Sequence, residues 1–122
     1  MKKTFLIISI AAFCFSCGGS QSGSGASSSV FDNPDYIKGE NLITKLDCLG
    51  CHKINETSVG PAYSLIGQKY ENTEANITML VEKIQKGGSG HWGTVPMAAH
   101  STLSKEDATI LVKYIMLLKD VK

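Results

Sequence analysis

Cys48-Leu49-Gly50-Cys51-His52 is the stretch of the sequence that decides its fold and carries its chemistry. In a helical turn, Cys48 and Cys51 lie one turn apart on the same face, and the imidazole of His52 follows directly. Two thiols at this spacing can bond to the two vinyl groups on one edge of a haem, and the histidine can then bind the iron. The pentad therefore predicts one covalently attached haem c.

Three other interpretations of the two cysteines remain open. A thioredoxin-like redox pair requires a preceding strand and a mixed sheet, and the sequence shows no strand pattern. A structural zinc site requires four ligands, and the remaining candidates, His91 and His100, lack the usual close pairing. A disulfide between Cys48 and Cys51 would leave His52 without a role. Haem attachment is the interpretation that uses all three residues.

A haem iron bound by His52 has a second axial position, and Met97 is the best candidate for it. Met97 lies in a glycine-rich stretch, 45 residues after His52. Thioether sulfur is a soft ligand, and a His/Met pair raises the reduction potential. Met79 and Met116 lie off the apolar stripes of the predicted helices, so we expect neither of them to bind iron.

Apolar periodicity predicts three helices and no strands, which makes the fold class all-α. The first helix runs from Asp35 to Leu46, with Asn33 as its N-cap and Pro34 at the first helical position. The second runs from Glu74 to Lys86. The third opens with a capping box at Ser104 and continues to about Lys119.

The predicted helices are joined by two stretches, residues 53–72 and 87–103, that are expected to be long loops. Loops longer than about 12 residues within a compact domain are usually functional. About 90 residues with this much loop would struggle to build a sufficient core from side chains alone. A haem would fill the space that the loops surround.

The first 16 residues are predicted to be a signal peptide. Lys2 and Lys3 precede an apolar run, Phe5 to Phe15, that is shorter than the about 20 residues needed to span a bilayer. Cys17 directly follows Ser16, in a context that resembles the lipobox of bacterial lipoproteins. We therefore expect an exported protein, lipidated at Cys17 and anchored at the periplasmic face of a bacterial membrane. An ordinary signal peptide and a soluble periplasmic protein are the alternative.

Composition predicts one domain behind a flexible tether. Residues 17–31 are rich in glycine and serine and cannot bury a core, so they are predicted to be the tether. Residues 32–122 are enough for a single haem domain. All 12 basic residues are lysines, spread along the chain, and the formal net charge is +1. Without a basic patch or stripe, no nucleic-acid partner is expected.

Four groups of residues together resemble the short bacterial cytochromes c-551/c-552, which are class I c-type cytochromes. The groups are Cys48 to His52, Gly60-Pro61-Ala62-Tyr63, Lys86-Gly87-Gly88-Ser89-Gly90-His91-Trp92-Gly93 and Val95-Pro96-Met97. The resemblance spans Asp32 to Lys119. It implies the small class I cytochrome c fold, in which helices and long loops wrap around one haem, with thioethers at both pentad cysteines and iron ligation by His52 and Met97.

The resemblance also implies roles for residues outside the pentad. Pro61 matches the residue whose backbone carbonyl orients the proximal histidine. Trp92 matches a tryptophan that donates its indole N–H to a haem propionate, and a plain core position is the alternative for it. The first and last helices should pack together, with Gly39 against an aromatic residue such as Tyr114. The lipobox-like cysteine and the tether are not part of the soluble members.

These features predict a monomeric electron carrier, not an enzyme, that shuttles single electrons between redox partner proteins of a bacterial respiratory chain. Two alternatives concern the second axial position: His91 or His100 could replace Met97, or the position could be open and bind a gas or peroxide in an enzyme or sensor. A third alternative is a tethered haem module that serves as a fixed subunit of a larger oxidase or reductase.

Overall fold

Five helices and one two-stranded hairpin form the part of the chain that the computed structural model describes, residues 28–121. The helices are α1 (Ser28–Phe31), α2 (Pro34–Lys45), α3 (Tyr63–Lys69), α4 (Glu74–Lys86) and α5 (Lys105–Leu117). Short 3-10 turns cover Asp47–Gly50 and Leu118–Asp120. The antiparallel strands are β1 (Gly88–Gly90) and β2 (Gly93–Met97). None of the helices in residues 28–121 is long and apolar enough to cross a membrane.

The three helices predicted from periodicity are confirmed, and so are the two predicted N-caps, Asn33 and Ser104. The Asn33 side chain accepts a hydrogen bond from the Asp35 amide at 2.8 Å, and α2 begins at Pro34. Helix α4 has the predicted bounds. At the start of α5, the Ser104 hydroxyl accepts from the Asp107 amide at 3.0 Å and donates to the Asp107 carboxylate at 2.8 Å. Side-chain caps of this kind stabilise a helix start by about 1 kcal/mol.

The main core lies where α2 crosses α5, which confirms the expected packing of the first predicted helix on the last. A Cβ at Gly39 would overlap the Cβ of Tyr114 and lie 2.6 Å from its Cγ, so only glycine allows this approach. The Tyr36 and Tyr114 rings meet edge to face with centroids 5.1 Å apart. The buried members of this core are Tyr36, Ile43, Tyr63, Ile66, Leu111, Tyr114, Ile115 and Leu118.

A second buried cluster joins α4 to the neighbouring face of α5. Its members are Ile77, Val81, Ala108, Val112 and Met116. Met116 is only 4% exposed, so the prediction that it lies off the apolar stripe of its helix is wrong. Its burial in this cluster is the usual role of a methionine, which adapts its shape to fill a core.

Both stretches that were predicted to be long loops contain regular structure. The prediction of loops without regular structure and the prediction of a fold without strands are therefore wrong. Helix α3 interrupts residues 53–72. It has seven residues and no side-chain cap at Ala62, so it gives no start signal in the sequence. The β1–β2 hairpin interrupts residues 87–103. Its strands are mostly exposed and contain glycines at positive φ, and without a buried face they show no alternating pattern.

The last residues of the predicted tether belong to the ordered part of the chain. Ser28–Phe31 form α1, and the Phe31 ring meets the Tyr36 ring edge to face at 5.1 Å. The predicted signal peptide, Cys17 and the rest of the tether lie outside the described residues. The proposed domain boundaries therefore stay predictions.

Candidate haem-binding site

All six residues predicted for the haem site line one cavity of about 580 Å³ between the helices and the hairpin. They are Cys48, Cys51, His52, Pro61, Trp92 and Met97. This volume lies in the range of sites that hold small molecules and cofactors. The apolar part of the wall comes from α2, α3, α4, α5 and the segment before α5. Its members include Ile43, Leu46, Ile66, Met79, Leu80, Ile84, Leu103, Leu111, Val112 and Ile115.

The cysteines of the pentad lie in a tight turn directly after α2. The amides of Cys51 and His52 both donate to the carbonyl of Cys48, at 3.2 and 3.0 Å. The two cysteines are free thiols one turn apart, as the geometry of attachment requires. Partial burial, together with the charge of Asp47, raises the pKa of the Cys48 thiol.

The imidazole of His52 is almost fully buried and is held in one orientation. Its Nδ1 lies 2.7 Å from the Pro61 carbonyl oxygen, which can only accept, so Nδ1 carries the proton and donates. The ring stacks on Tyr63 with centroids 5.0 Å apart. A Cβ at Gly60 would lie 2.5 Å from the His52 Cε1, so only glycine leaves room for the ring. Nε2 is therefore the nitrogen available to a metal.

Backbone hydrogen bonds tie the segment after the pentad to the start of α3. The Gly60 amide donates to the Cys51 carbonyl, and the Tyr63 and Ser64 amides donate to the carbonyls of Lys53 and Ile54, all at 2.9 Å. The resulting loop brings Gly60 and Pro61 back against the His52 ring. Burial raises the pKa of Tyr63, so its hydroxyl stays neutral beside the cavity.

Met97 is the last residue of β2, and its backbone passes close to the end of α4. A Cβ at Gly87 would lie 2.5 Å from the Met97 carbonyl oxygen, and Gly87 has φ +68°. After the strand, the His100 amide donates to the Ile84 carbonyl at 3.0 Å, which fastens the chain to α4. The half-buried Met97 side chain is thereby kept at the cavity.

The two histidines considered as rivals of Met97 also line the cavity. The Nδ1 of His100 lies 3.8 Å from a carboxylate oxygen of Asp47, so the pair forms a salt bridge when the histidine is protonated. The Nδ1 of His91 lies 3.2 Å from the Tyr70 hydroxyl. Location in the cavity alone does not separate Met97 from these two histidines.

Trp92 lies in the turn of the hairpin, at the mouth of the cavity. It is 42% exposed, so the alternative of a plain core tryptophan is wrong. The ammonium group of Lys69 lies 4.5 Å from the centroid of the indole ring. The position at the mouth leaves the indole free to meet a polar group at the edge of a bound molecule.

The donor set and the shape of the cavity fit a covalently attached haem. A large apolar cavity carries two free thiols one turn apart, an imidazole with Nε2 available and a soft thioether sulfur. Within residues 28–121, no three His, Cys, Asp or Glu side chains cluster closely enough to hold a metal ion. The zinc-site alternative therefore finds no ligand set in this part of the chain.

A small helical fold around such a site defines a class I c-type cytochrome. The family model for cytochrome c matches residues 36–119, and the chain belongs to the cytochrome c family. The protein therefore carries covalently bound haem c with its iron, with Cys48 and Cys51 in the attachment positions, and it is an electron carrier.

Named relatives agree with this assignment. Cytochrome c-552 of Hydrogenobacter thermophilus is 38% identical over 80 residues, which cover 66% of this chain and 81% of that protein. Cytochrome c-552 of Nitrosomonas europaea is 38% identical over 79 residues, which cover 65% of this chain and 77% of that protein. The crystal structure of wild-type Nitrosomonas europaea cytochrome c552 superposes with a TM-score of 0.61 over 66% of this chain and 99% of that chain.

Sequence reasoning missed several residues that shape the site. Tyr63 and Gly60 confine the His52 ring, and Lys69 and Tyr70 contact the hairpin. Gly60 gave a partial signal, because a Gly-Pro dipeptide marks a turn. Lys69 and Tyr70 gave none, since their contacts join parts of the chain that lie more than 20 residues apart.

Proposed function

We propose that the haem is attached through thioethers at Cys48 and Cys51, that His52 and Met97 are its axial ligands, and that the protein shuttles single electrons between redox partner proteins of a bacterial respiratory chain. The observation that carries the proposal for His52 is its 2.7 Å hydrogen bond from Nδ1 to the Pro61 carbonyl, which leaves Nε2 for iron. Met97 is supported by its place in the same cavity and by the soft sulfur that it offers. When bound, the haem supplies a one-electron redox couple.

The side chains around the cavity would orient the haem and exclude water. The Pro61 carbonyl keeps the imidazole in the tautomer that binds metal and increases its basicity as a ligand. The soft sulfur of Met97 favours ferrous iron and raises the potential. An apolar wall lowers the local dielectric, which also favours the less charged form of the site. Trp92 is proposed to donate its indole N–H to a haem propionate, supported by its place at the mouth of the cavity.

Electron exchange would take place where side chains at the cavity reach solvent. Cys51, Val59 and Val95 line the cavity, and Val59 and Val95 are apolar. Partners would dock there transiently, and with both axial positions filled no substrate could bind the iron. We therefore propose a monomeric carrier and not an enzyme, in line with the electron-transfer relatives. The donor and the acceptor are proposed only as a class, redox partner proteins.

The axial proposal is tested by spectra of the purified holoprotein and four variants. Met97→Ala should open the distal position, abolish the weak long-wavelength sulfur-to-iron band of the ferric form and allow the ferrous form to bind carbon monoxide. Met97→His should keep six ligands and lower the potential, since imidazole stabilises ferrous iron less than thioether does. His91→Ala and His100→Ala are the controls and should match the wild type. Carbon monoxide binding by the wild type would support the open-site alternative.

Export and anchoring complete the proposal. Covalent haem attachment suits a protein that works outside the cytoplasm, and family membership supports an exported protein. We propose that residues 1–16 are removed and that Cys17 is lipidated. A lipidated N-terminus carries more than one acyl chain, and two chains anchor stably where one is only marginal. Cys17→Ser should shift the protein from the membrane fraction to the soluble or uncleaved form. Wild-type protein found soluble and without fatty acid by mass spectrometry would contradict the anchor.

A further inference from the structure

The hairpin that carries Trp92 and Met97 has little to hold it in place by itself. Its strands pair irregularly between Gly88 and Gly90, and three of its glycines have positive φ. Neither buried cluster of the core includes a residue of the hairpin, so side chains of the core contribute little to its position. An isolated two-stranded hairpin is only marginally stable in water. Contacts from other elements must therefore position it over the cavity.

The C-terminal end of α3 supplies such contacts at the tip of the hairpin. The ammonium group of Lys69 lies 4.5 Å from the Trp92 ring centroid and 3.4 Å from the His91 carbonyl oxygen. The hydroxyl of Tyr70 lies 3.2 Å from the Nδ1 of His91. Lys69, the last residue of α3, and Tyr70, its C-cap, therefore contact two consecutive residues of the tip, through one cation–π contact and two hydrogen bonds.

Helix α3 is a rigid support for these contacts because it packs closely on the end of α5. A Cβ at Gly67 would lie 2.9 Å from the Ile115 carbonyl oxygen and 3.2 Å from the Lys119 amide nitrogen. The Gln68 side chain donates to the Lys119 carbonyl at 2.9 Å. The base of the hairpin is fastened separately, through the His100 amide and the Ile84 carbonyl. Strand β2 therefore runs between two fixed points, with Met97 at one end and Trp92 next to the other.

We propose that Lys69 and Tyr70 form a latch that positions the hairpin, and with it Met97 and Trp92, over the haem. The latch acts through the hairpin and not by contact with iron, so both are positioning residues. Their role rests on the proposed ligation by Met97. Loss of the latch should leave the helical core intact and let the hairpin open more often.

Displacement of Met97 by an added ligand measures this opening. At saturating imidazole, the rate at which the ferric holoprotein loses its sulfur-to-iron band reports how often the hairpin releases the iron. A cation–π contact or a hydrogen bond of ordinary strength corresponds to about a threefold to tenfold change in such an equilibrium. Lys69→Met and Tyr70→Phe should each raise the rate by about threefold, and the double variant by about tenfold.

The controls remove the same groups away from the hairpin. Lys105→Met removes an exposed lysine at the start of α5, and Tyr36→Phe removes a hydroxyl that faces Glu40. Both variants should leave the rate at which imidazole displaces Met97 at the wild-type value. Lys69→Arg should also have the wild-type rate, unlike Lys69→Met, because guanidinium keeps the contact with the indole. The urea midpoint of the latch variants should stay close to that of the wild type. Unchanged imidazole rates in the double variant would overturn the latch.

Trp92 gives a second readout that does not depend on Met97. It is the single tryptophan of the chain, and a nearby haem quenches its fluorescence, so emission reports the distance of the tip from the haem. The latch variants should emit more than the wild type, and the controls should not. If the wild type lacked the sulfur-to-iron band, ligation by Met97 would be wrong, and the emission of the latch variants would still decide whether the latch exists.

Discussion

The α2–α5 interface and the β1–β2 hairpin both border the haem cavity, but they are held in different ways. The helix pair is buried, with tyrosine rings in edge-to-face contact and a glycine that lets the backbones meet. The hairpin is mostly exposed, and its contacts with the rest of the chain include those at its base and those from Lys69 and Tyr70 at its tip. The comparison indicates that the helix pair supplies the stability of the domain, whereas the hairpin supplies the adjustable side of the site.

The largest effect is expected from Gly39→Ala, which should separate α2 from α5. The new methyl group would overlap Tyr114, and overpacking of a core costs about 1–3 kcal/mol. We expect a loss near the upper end, about 3 kcal/mol, because the overlap involves Cβ and not the end of a flexible side chain. Urea unfolding of the ferric holoprotein measures this loss in the free energy of unfolding. Gly50→Ala is the matched control, since a Cβ there meets nothing within 4 Å. Equal midpoints for the two variants would contradict this account of the interface.

Gly87→Ala should produce the reverse pattern, with a local effect at the hairpin and a smaller effect on the core. Gly87 has φ +68° and ψ −150°, and a side chain in such a conformation costs about 1–3 kcal/mol. Its Cβ would also press on the Met97 carbonyl at 2.5 Å. The sulfur-to-iron band should therefore disappear at a lower temperature than the helical circular dichroism signal does. Gly90→Ala is the control: Gly90 has φ +136°, but a Cβ there meets nothing within 4 Å. This variant therefore introduces backbone strain without a contact with Met97. An unchanged band in Gly87→Ala would show that the contact does not position Met97.

Alkaline pH is expected to lower the free energy of unfolding by a smaller amount, through two tyrosines of the helices beside the cavity. Burial raises the pKa of Tyr63 and of Tyr114 above the ordinary value of 10.0. Well below pH 10, both tyrosines are protonated in the folded and in the unfolded protein, so they do not make stability depend on pH. Above about pH 10 the unfolded chain releases them while the folded chain keeps them, so the free energy of unfolding falls as pH rises. Urea midpoints against pH should show this fall, and Tyr114→Phe should make it shallower. A slope equal to that of the wild type would exclude Tyr114 as its source.

Three helices, two of their N-caps and the close approach at Gly39 could be predicted because each has a local signal. Periodicity marks α4 over the residues it occupies, and Asn33 and Ser104 mark helix starts through bonds made within three residues. The hairpin and α3 could not be predicted. Helix α3 is short and uncapped, and the hairpin strands have no buried face, so neither carries a periodic pattern.

The sequence alone determined the nature of the cofactor and its point of attachment, because the spacing of Cys48, Cys51 and His52 is a local property of one turn of chain. It also singled out Pro61, Trp92 and Met97 by resemblance. Only the tertiary structure decided that these residues share one cavity, that Tyr63 and Gly60 confine the histidine, and that Lys69 and Tyr70 contact the hairpin tip. The physical reason is distance along the chain: contacts between residues far apart in sequence arise from packing, which no local pattern of residues records.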